Sequence, residues 1–161
     1  MMLNPKITLL RATASALGLA RQAIVEVNLP TLDHRAPIDD AALAEFLADS
    51  SHYLLLAVEN EKVAGSLHGY ALRHPYRREP QFFLYGIDVR PACRNHGIGT
   101  ALVERFILEA QNAGAFEVWV LTNRSNRAAM AMYGHSGLKE ANADDVMLTL
   151  PVGSGGTSKL G

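Results

Sequence analysis

The stretch Arg94-Asn95-His96-Gly97-Ile98-Gly99-Thr100 joins an apolar, strand-like run ending at Val89 to a segment of helical period, and it limits the fold more tightly than any other part of the chain. A helix N-terminus carries unsatisfied N–H groups and partial positive charge, so it can hold a phosphate without a cationic side chain. Glycines at 97 and 99 keep side chains away and let the backbone wrap an anion, and Arg94 adds charge at the rim. From spacing alone, a turn whose glycines serve only the helix start reads equally well. Two named phosphate patterns fit poorly. The P-loop requires a lysine and a Ser/Thr directly after its last glycine, and no such lysine stands here. The dinucleotide fingerprint requires a third glycine where Leu102 sits, although Glu117 lies near the place of a ribose-binding acid.

Around this loop the hydrophobic period changes repeatedly. Ile7 to Arg11 reads as a first strand, and Thr13 to Asn28 has Leu17, Ala20, Ile24 and Val27 at helical spacing. A proline-punctuated loop, Leu29 to Pro37, precedes a helix capped by Asp39 or Asp40 and striped with Leu43, Phe46 and Leu47. Tyr53–Val58 and Val63–Leu72 flank the polar turn Glu59-Asn60-Glu61-Lys62 as a hairpin. Arg73–Pro80 reads as a polar link to the strand Phe82–Val89. Ile98, Leu102, Val103 and Phe106 then mark a helix running to about Ala113 and stopped by Gly114. Phe116–Leu121 is a strand, Asn126–Ser136 a helix, and Val146–Leu150 a final strand. The order predicts one α/β domain over residues 1–152, a mixed sheet covered by helices, with a Gly/Ser-rich tail over 153–161 that carries no function.

The totals narrow the class of protein. A chain of 161 residues, 48% apolar and 19% charged, suits one globular core. A formal charge of −1 supplies no field for nucleic acid or an acidic membrane, and the apolar runs fall far short of the roughly 20 residues that span a bilayer. Met1 to Lys6 lacks the layout of a secretory signal, and the single Cys93 forms no internal disulfide. A cytoplasmic protein is expected. The six histidines show no metal-ligand spacing, so no metal is expected. Cys93 with His96 imitates a nucleophile pair, but a loop cysteine is far more often inert.

Two motifs then carry a family resemblance. Ile87-Asp88-Val89-Arg90-Pro91-Ala92-Cys93-Arg94-Asn95-His96-Gly97-Ile98-Gly99-Thr100-Ala101-Leu102 resembles the acetyl-CoA-binding motif of GNAT acetyltransferases, a strand followed by Arg/Gln-x-x-Gly-x-Gly/Ala at a helix start. Asn126 to Leu138 is similar to the family's Asn-x-x-Ala-x-x-x-Tyr-x-x-x-Gly-Phe signature, with Leu138 in place of the final Phe. The resemblance covers the chain from about Ile7 to Val152. It implies the GNAT fold, a mostly antiparallel mixed sheet of six to seven strands flanked by about four helices. It also implies that the chain is an N-acetyltransferase using acetyl-CoA, with a primary amine as acceptor.

Roles follow from the resemblance residue by residue. The main chain near Ile87 and Val89 is expected to pair with the pantetheine arm. Arg94, Asn95, His96, Gly97, Ile98, Gly99 and Thr100 are expected around the pyrophosphate, and Asn126 near the pantetheine end. Tyr133 is expected beside the cofactor as proton donor to the leaving thiolate, since a phenol (about 10) outlasts a thiol (about 8.5) in holding its proton. A backbone N–H at the end of the fourth strand would meet the oxyanion. Many relatives carry an acid where this chain has Gly86. Asp88, on the same strand face, can take over as general base directly or through a water, or it only caps and pairs; both readings stay open.

Phe83 to Val89 and Asp144 to Leu148 look like one branch of the family, the aminoglycoside 3-N-acetyltransferases. That likeness implies a polycationic acceptor held by Asp144 and Asp145, with Asp33, Asp39 and Asp40 also near plausible rims. The absence of an acid at 86 departs from the branch. A peptide or protein amine, a small polyamine, or a non-catalytic acetyl-CoA-binding module are the alternatives. No nucleic-acid or membrane partner is expected, and a homodimer is left open.

Overall fold

Alternation along one strand sets the layering. Leu54, Leu55, Leu56 and Ala57 are all buried, so this strand must be covered on both faces. The computed structural model, which describes residues 6–28, 38–142, 144–150 and 152, places it second in a five-stranded sheet of order β1-β2-β3-β4-β5. The strands are β1 (Ile7–Arg11), β2 (His52–Glu59), β3 (Lys62–His74), β4 (Arg77–Val89) and β5 (Glu117–Val120). The first four run antiparallel to their neighbours, and β5 runs parallel to β4.

One face packs on α1 (Leu17–Ala23) and α2 (Asp40–Ala48), where Leu54, Leu56 and Val63 meet Ala20, Ala23, Val27 and Leu43. A 3-10 turn, Ala14–Ala16, leads into α1, and a π-helical turn, Ile24–Asn28, continues it. Asp39 caps α2 through its Oδ1, which accepts from the N–H groups of Ala41 (2.9 Å) and Ala42 (3.2 Å). The opposite face packs on α3 (Ile98–Asn112) and α4 (Arg127–His135), with Phe82, Leu84, Leu67 and Leu55 against Leu102, Val103, Phe106 and Tyr133. Gly69 permits this packing, because a Cβ there would stand 2.5 Å from Phe106 Cζ.

The expected elements form, with two changes. Arg73–Pro80 is not a link but the tip of a long hairpin, since β3 runs to His74 and β4 starts at Arg77. The polar residues there are edge and turn residues of strands that pair beyond the core. The expected final strand is absent: among the described residues, Val146–Leu150 takes no strand pairing, and Val146, Leu148 and Leu150 are exposed. An alternating apolar pattern makes a strand only where a partner edge accepts its hydrogen bonds. Among the described residues the sheet therefore has five strands rather than six to seven. Leu29 to Pro37, with Asp33, and the expected tail Gly153 to Gly161 lie outside the described residues. Among the described residues, no helix is long and apolar enough to cross a membrane.

Candidate active site

β4 leaves its parallel neighbour part-way along. Pairing with β5 extends from Gln81–Glu117 to Leu84–Val120, and there it stops, while β4 continues to Val89 bonded to β3 alone. The register against β3 shifts at the same place: His68 faces Gly86 and Gly69 faces Leu84, so Tyr85 is an extra residue on β4. A bulge increases local twist and re-aims the strand, which parts β4 from β5. Alternate residues of 85–89 thereby present backbone N–H and C=O groups to a gap instead of to a strand.

The glycine loop stands at the far end of this free segment. Gly97 caps α3 at φ 77°, a left-handed conformation that glycine adopts freely, and Asn95 is left-handed too. Among the described residues no side chain caps the α3 N-terminus, so its first N–H groups are available to an anion. Arg94 is exposed, yet its Nε donates to the Val89 carbonyl at 3.0 Å, tying the loop to the strand end. That bond occupies one backbone acceptor of Val89 that the sequence reading assigns to the pantetheine arm. Asn95 and His96 are exposed on the loop, and Ile98 turns its side chain into the core, leaving only main chain for a ligand. Gly99 also lies close to α4: a Cβ there would stand 2.7 Å from Met132 Sδ, and a larger residue would displace the Met132 side chain.

Asn126 caps α4, its Oδ1 accepting from Ala129 N–H at 3.1 Å, and among the described residues its NH2 group makes no hydrogen bond. Tyr133, on the inward face of α4, is 93% buried, its residual exposure being 7%. Burial first, and the Asp88 charge second, push its hydroxyl above the ordinary phenol range. Asp88 belongs to the opposite face, where its Oδ2 accepts from Asn28 Nδ2 at 2.9 Å while Ser66 Oγ donates to Asn28 Oδ1 at 3.2 Å. The same carboxylate acts on His68, whose imidazole is lowered by burial and raised in part by Asp88. Asp88 thus acts through its charge on both His68 and Tyr133, in each case second to burial.

Three further residues around the free end of β4, His68, Asn28 and Ser66, belong to no sequence motif. The signal for His68 is its place opposite Gly86, which needs the register of β3 on β4 and is invisible in spacing. Also unforeseen is an aromatic face on the α1 side of the sheet. Phe83 stacks on Trp119 (4.1 Å between centroids, 16° between planes), and Tyr85 contacts Phe83, His68 and Tyr70.

The acidic residues separate into different roles. Asp145 accepts from Asn142 Nδ2 at 3.2 Å and borders an open groove of about 700 Å³ that Tyr133, Trp119 and Val120 also line; Asp144 is exposed but does not line it. Asp39 is a cap, and Asp40 pairs with Arg21 at 3.0 Å. These two acids thus perform structural work away from the β4 gap.

Comparison with known proteins agrees with this geometry. The [Ribosomal protein bS18]-alanine N-acetyltransferase of Escherichia coli strain K12 is 38% identical over 58 residues, a stretch that covers 36% of this chain and only 39% of that enzyme. An aminoglycoside acetyltransferase, meta-AAC0020, from an uncultured soil metagenomic sample, solved with trehalose, superposes with a TM-score of 0.82 at 20% identity, covering 93% of this chain and 100% of that one. The aminoglycoside N-acetyltransferase AAC(6')-Iy, solved with CoA, superposes at 0.69 and 20% identity, covering 89% and 98%. These two likenesses establish the fold. Residues 21–138 match the Acetyltransferase (GNAT) family, which uses acetyl-CoA, and with its parted fourth strand and uncapped glycine loop this chain belongs to that family.

Proposed function

We propose that this chain is an acetyl-CoA-dependent N-acetyltransferase that acetylates a primary amine in a ternary complex. The observation that carries the reading is the departure of β4 from β5 after Leu84, between the open N-terminus of α3 and the buried Tyr133. Acetyl-CoA, when bound, supplies the thioester carbon that the amine attacks. The backbone of Ile87 and the N–H of Val89, whose carbonyl already accepts from Arg94, would hold its peptide-like arm as a missing strand would be held. The amides of residues 95–100, with Arg94 at the rim, would hold its pyrophosphate. Asn126 has an amide NH2 left over from its cap for the pantetheine end. Tyr133 keeps its proton through neutral pH and would give it to the departing sulfur. Asp88 acts through its charge on Tyr133 and His68, second to burial.

An aminoglycoside, acetylated at a 3-amino group, is the proposed acceptor. The full-length likeness to meta-AAC0020 supports it, as does the exposed pair Asp144 and Asp145, which suits a polycation. A second reading, acetylation of a protein N-terminal amine, is favoured by the 38% identity to the ribosomal-protein enzyme. The test is release of free thiol from acetyl-CoA with a panel of aminoglycosides, peptides with free N-termini, and polyamines. Mass spectrometry and NMR of the product locate the acetyl group. Turnover only with peptides overturns the aminoglycoside reading and leaves the transferase reading intact; turnover with none of the amines overturns both.

A further inference from the structure

We propose that His68 is the base that removes the proton from the acceptor amine; this deepens the transferase reading and rests on it. The first support is steric. A Cβ built on Gly86 would stand 2.8 Å from His68 Cε1, 3.4 Å from Nδ1 and 3.7 Å from Nε2. The imidazole therefore fills the space a side chain at 86 would occupy, at the point where β4 turns away from β5. A glycine at 86 is the condition for a histidine at 68 to lie over the strand.

The second support is the surroundings of the ring. Tyr85 lies against it at 4.9 Å between centroids and Tyr70 edge-on at 6.4 Å. Among the described residues, the titratable groups acting on it are Asp88 and Tyr85 from β4 and Tyr70 from its own strand. The π-helical turn on this face supplies neutral Asn28 to Asp88, and its Glu26 pairs with Arg90. Among the described residues, nothing hydrogen-bonds the imidazole, so its nitrogens are open to a ligand. Asp88, by contrast, already accepts from Asn28, which Ser66 holds in turn. Burial keeps His68 below the ordinary imidazole value of about 6.5, so it is neutral at pH 7 and able to accept a proton. Tyr70 cannot compete, because burial and then Tyr85 hold its hydroxyl protonated.

The step balances. His68 takes one proton from the ammonium group and later releases it to water. The neutral nitrogen forms the C–N bond as the C–S bond breaks, and the electron pair of that bond leaves on sulfur. Tyr133 protonates the sulfur, and the second proton lost by the nitrogen restores the phenol. The base thus acts from β3 and the acid from α4.

The test joins kinetics to a measurement on the protein alone. His68→Gln should lower kcat/KM at pH 7 by about 10²-fold or more and remove the acidic limb of its pH profile. The double variant His68→Ala with Gly86→Glu, which moves a carboxylate into the vacated space, should recover much of that loss. NMR titration of the ligand-free wild type should find the His68 ring titrating below about 6.5, and Asp88→Asn should move it lower still. Activity in His68→Gln within a few-fold of wild type, with its acidic limb kept, overturns the proposal and spares the transferase reading. A His68 ring that is protonated at pH 7 in the free protein overturns it even if the variants fail to fold. A wild type that acetylates no amine overturns the transferase reading, and this proposal with it.

Discussion

The two halves of β4 have opposite uses. From Gln81 to Leu84 the strand is paired on both edges, and Phe82 and Leu84 are wholly buried against α3. From Tyr85 to Val89 it is paired on one edge, with Gly86 and Asp88 where the first half has large side chains. One extra residue separates a segment that builds the core from a segment with an unpaired backbone edge. Stability should therefore depend on the first half and chemistry on the second, and variants on either side of Tyr85 can break that division.

The largest effect on stability should come from Phe82→Ala. Loss of a fully buried ring that contacts Tyr53 (4.9 Å) and Phe106 (5.4 Å) should cost about 3–5 kcal/mol, read as a lower denaturant midpoint. Turnover per folded molecule should hardly change; a loss of turnover in the still-folded fraction would mean that the halves are not independent. Tyr133→Phe is the complement. It keeps the ring in the core and removes the proton, so turnover should fall about a hundredfold or more, while the thermal midpoint moves little. Wild-type turnover would return Tyr133 to a packing role.

Asp88→Asn sharpens the comparison through pH. The Asp88 charge raises both His68 and Tyr133, so removing it should lower both. Activity needs His68 neutral, and is lost as pH falls through its pKa; it needs Tyr133 protonated, and is lost as pH rises through that pKa. Both limbs of the kcat/KM profile should consequently move to lower pH, with a modest fall at the optimum. Limbs that stay in place would show that Asp88 only braces Asn28. The smallest effect belongs to Asp39→Ala, far from β4. Losing two N–H bonds at the α2 cap should cost about 1 kcal/mol and leave the pH profile unchanged.

Much of the fold is legible because its signals are local. Asp39 and Asn126 cap helices that begin directly after them, and Gly97 and Gly114 take the positive φ that helix ends favour. The hairpin turn forms at Asn60 and Glu61, both left-handed, inside the polar stretch where it is expected. Position along the chain suffices for these, since each rests on hydrogen bonds within a few residues. The glycine loop and the Asn126–Tyr133 spacing belong to this class, so half of the site can be read without coordinates.

The other half depends on register. The pairing of His68 with Gly86, the bulge at Tyr85 and the coupling of Asp88 to both His68 and Tyr133 join residues distant in sequence, and a shift of one residue would turn each to the opposite face. Val146–Leu150 illustrates the converse, a strand pattern without a paired edge. The amino-acid sequence by itself determined the helices, the turns, the anion-ready loop and the family. Only the tertiary structure decided where β4 parts from β5 and which imidazole lies over Gly86, because strand pairing is a contact between distant segments that no local period encodes.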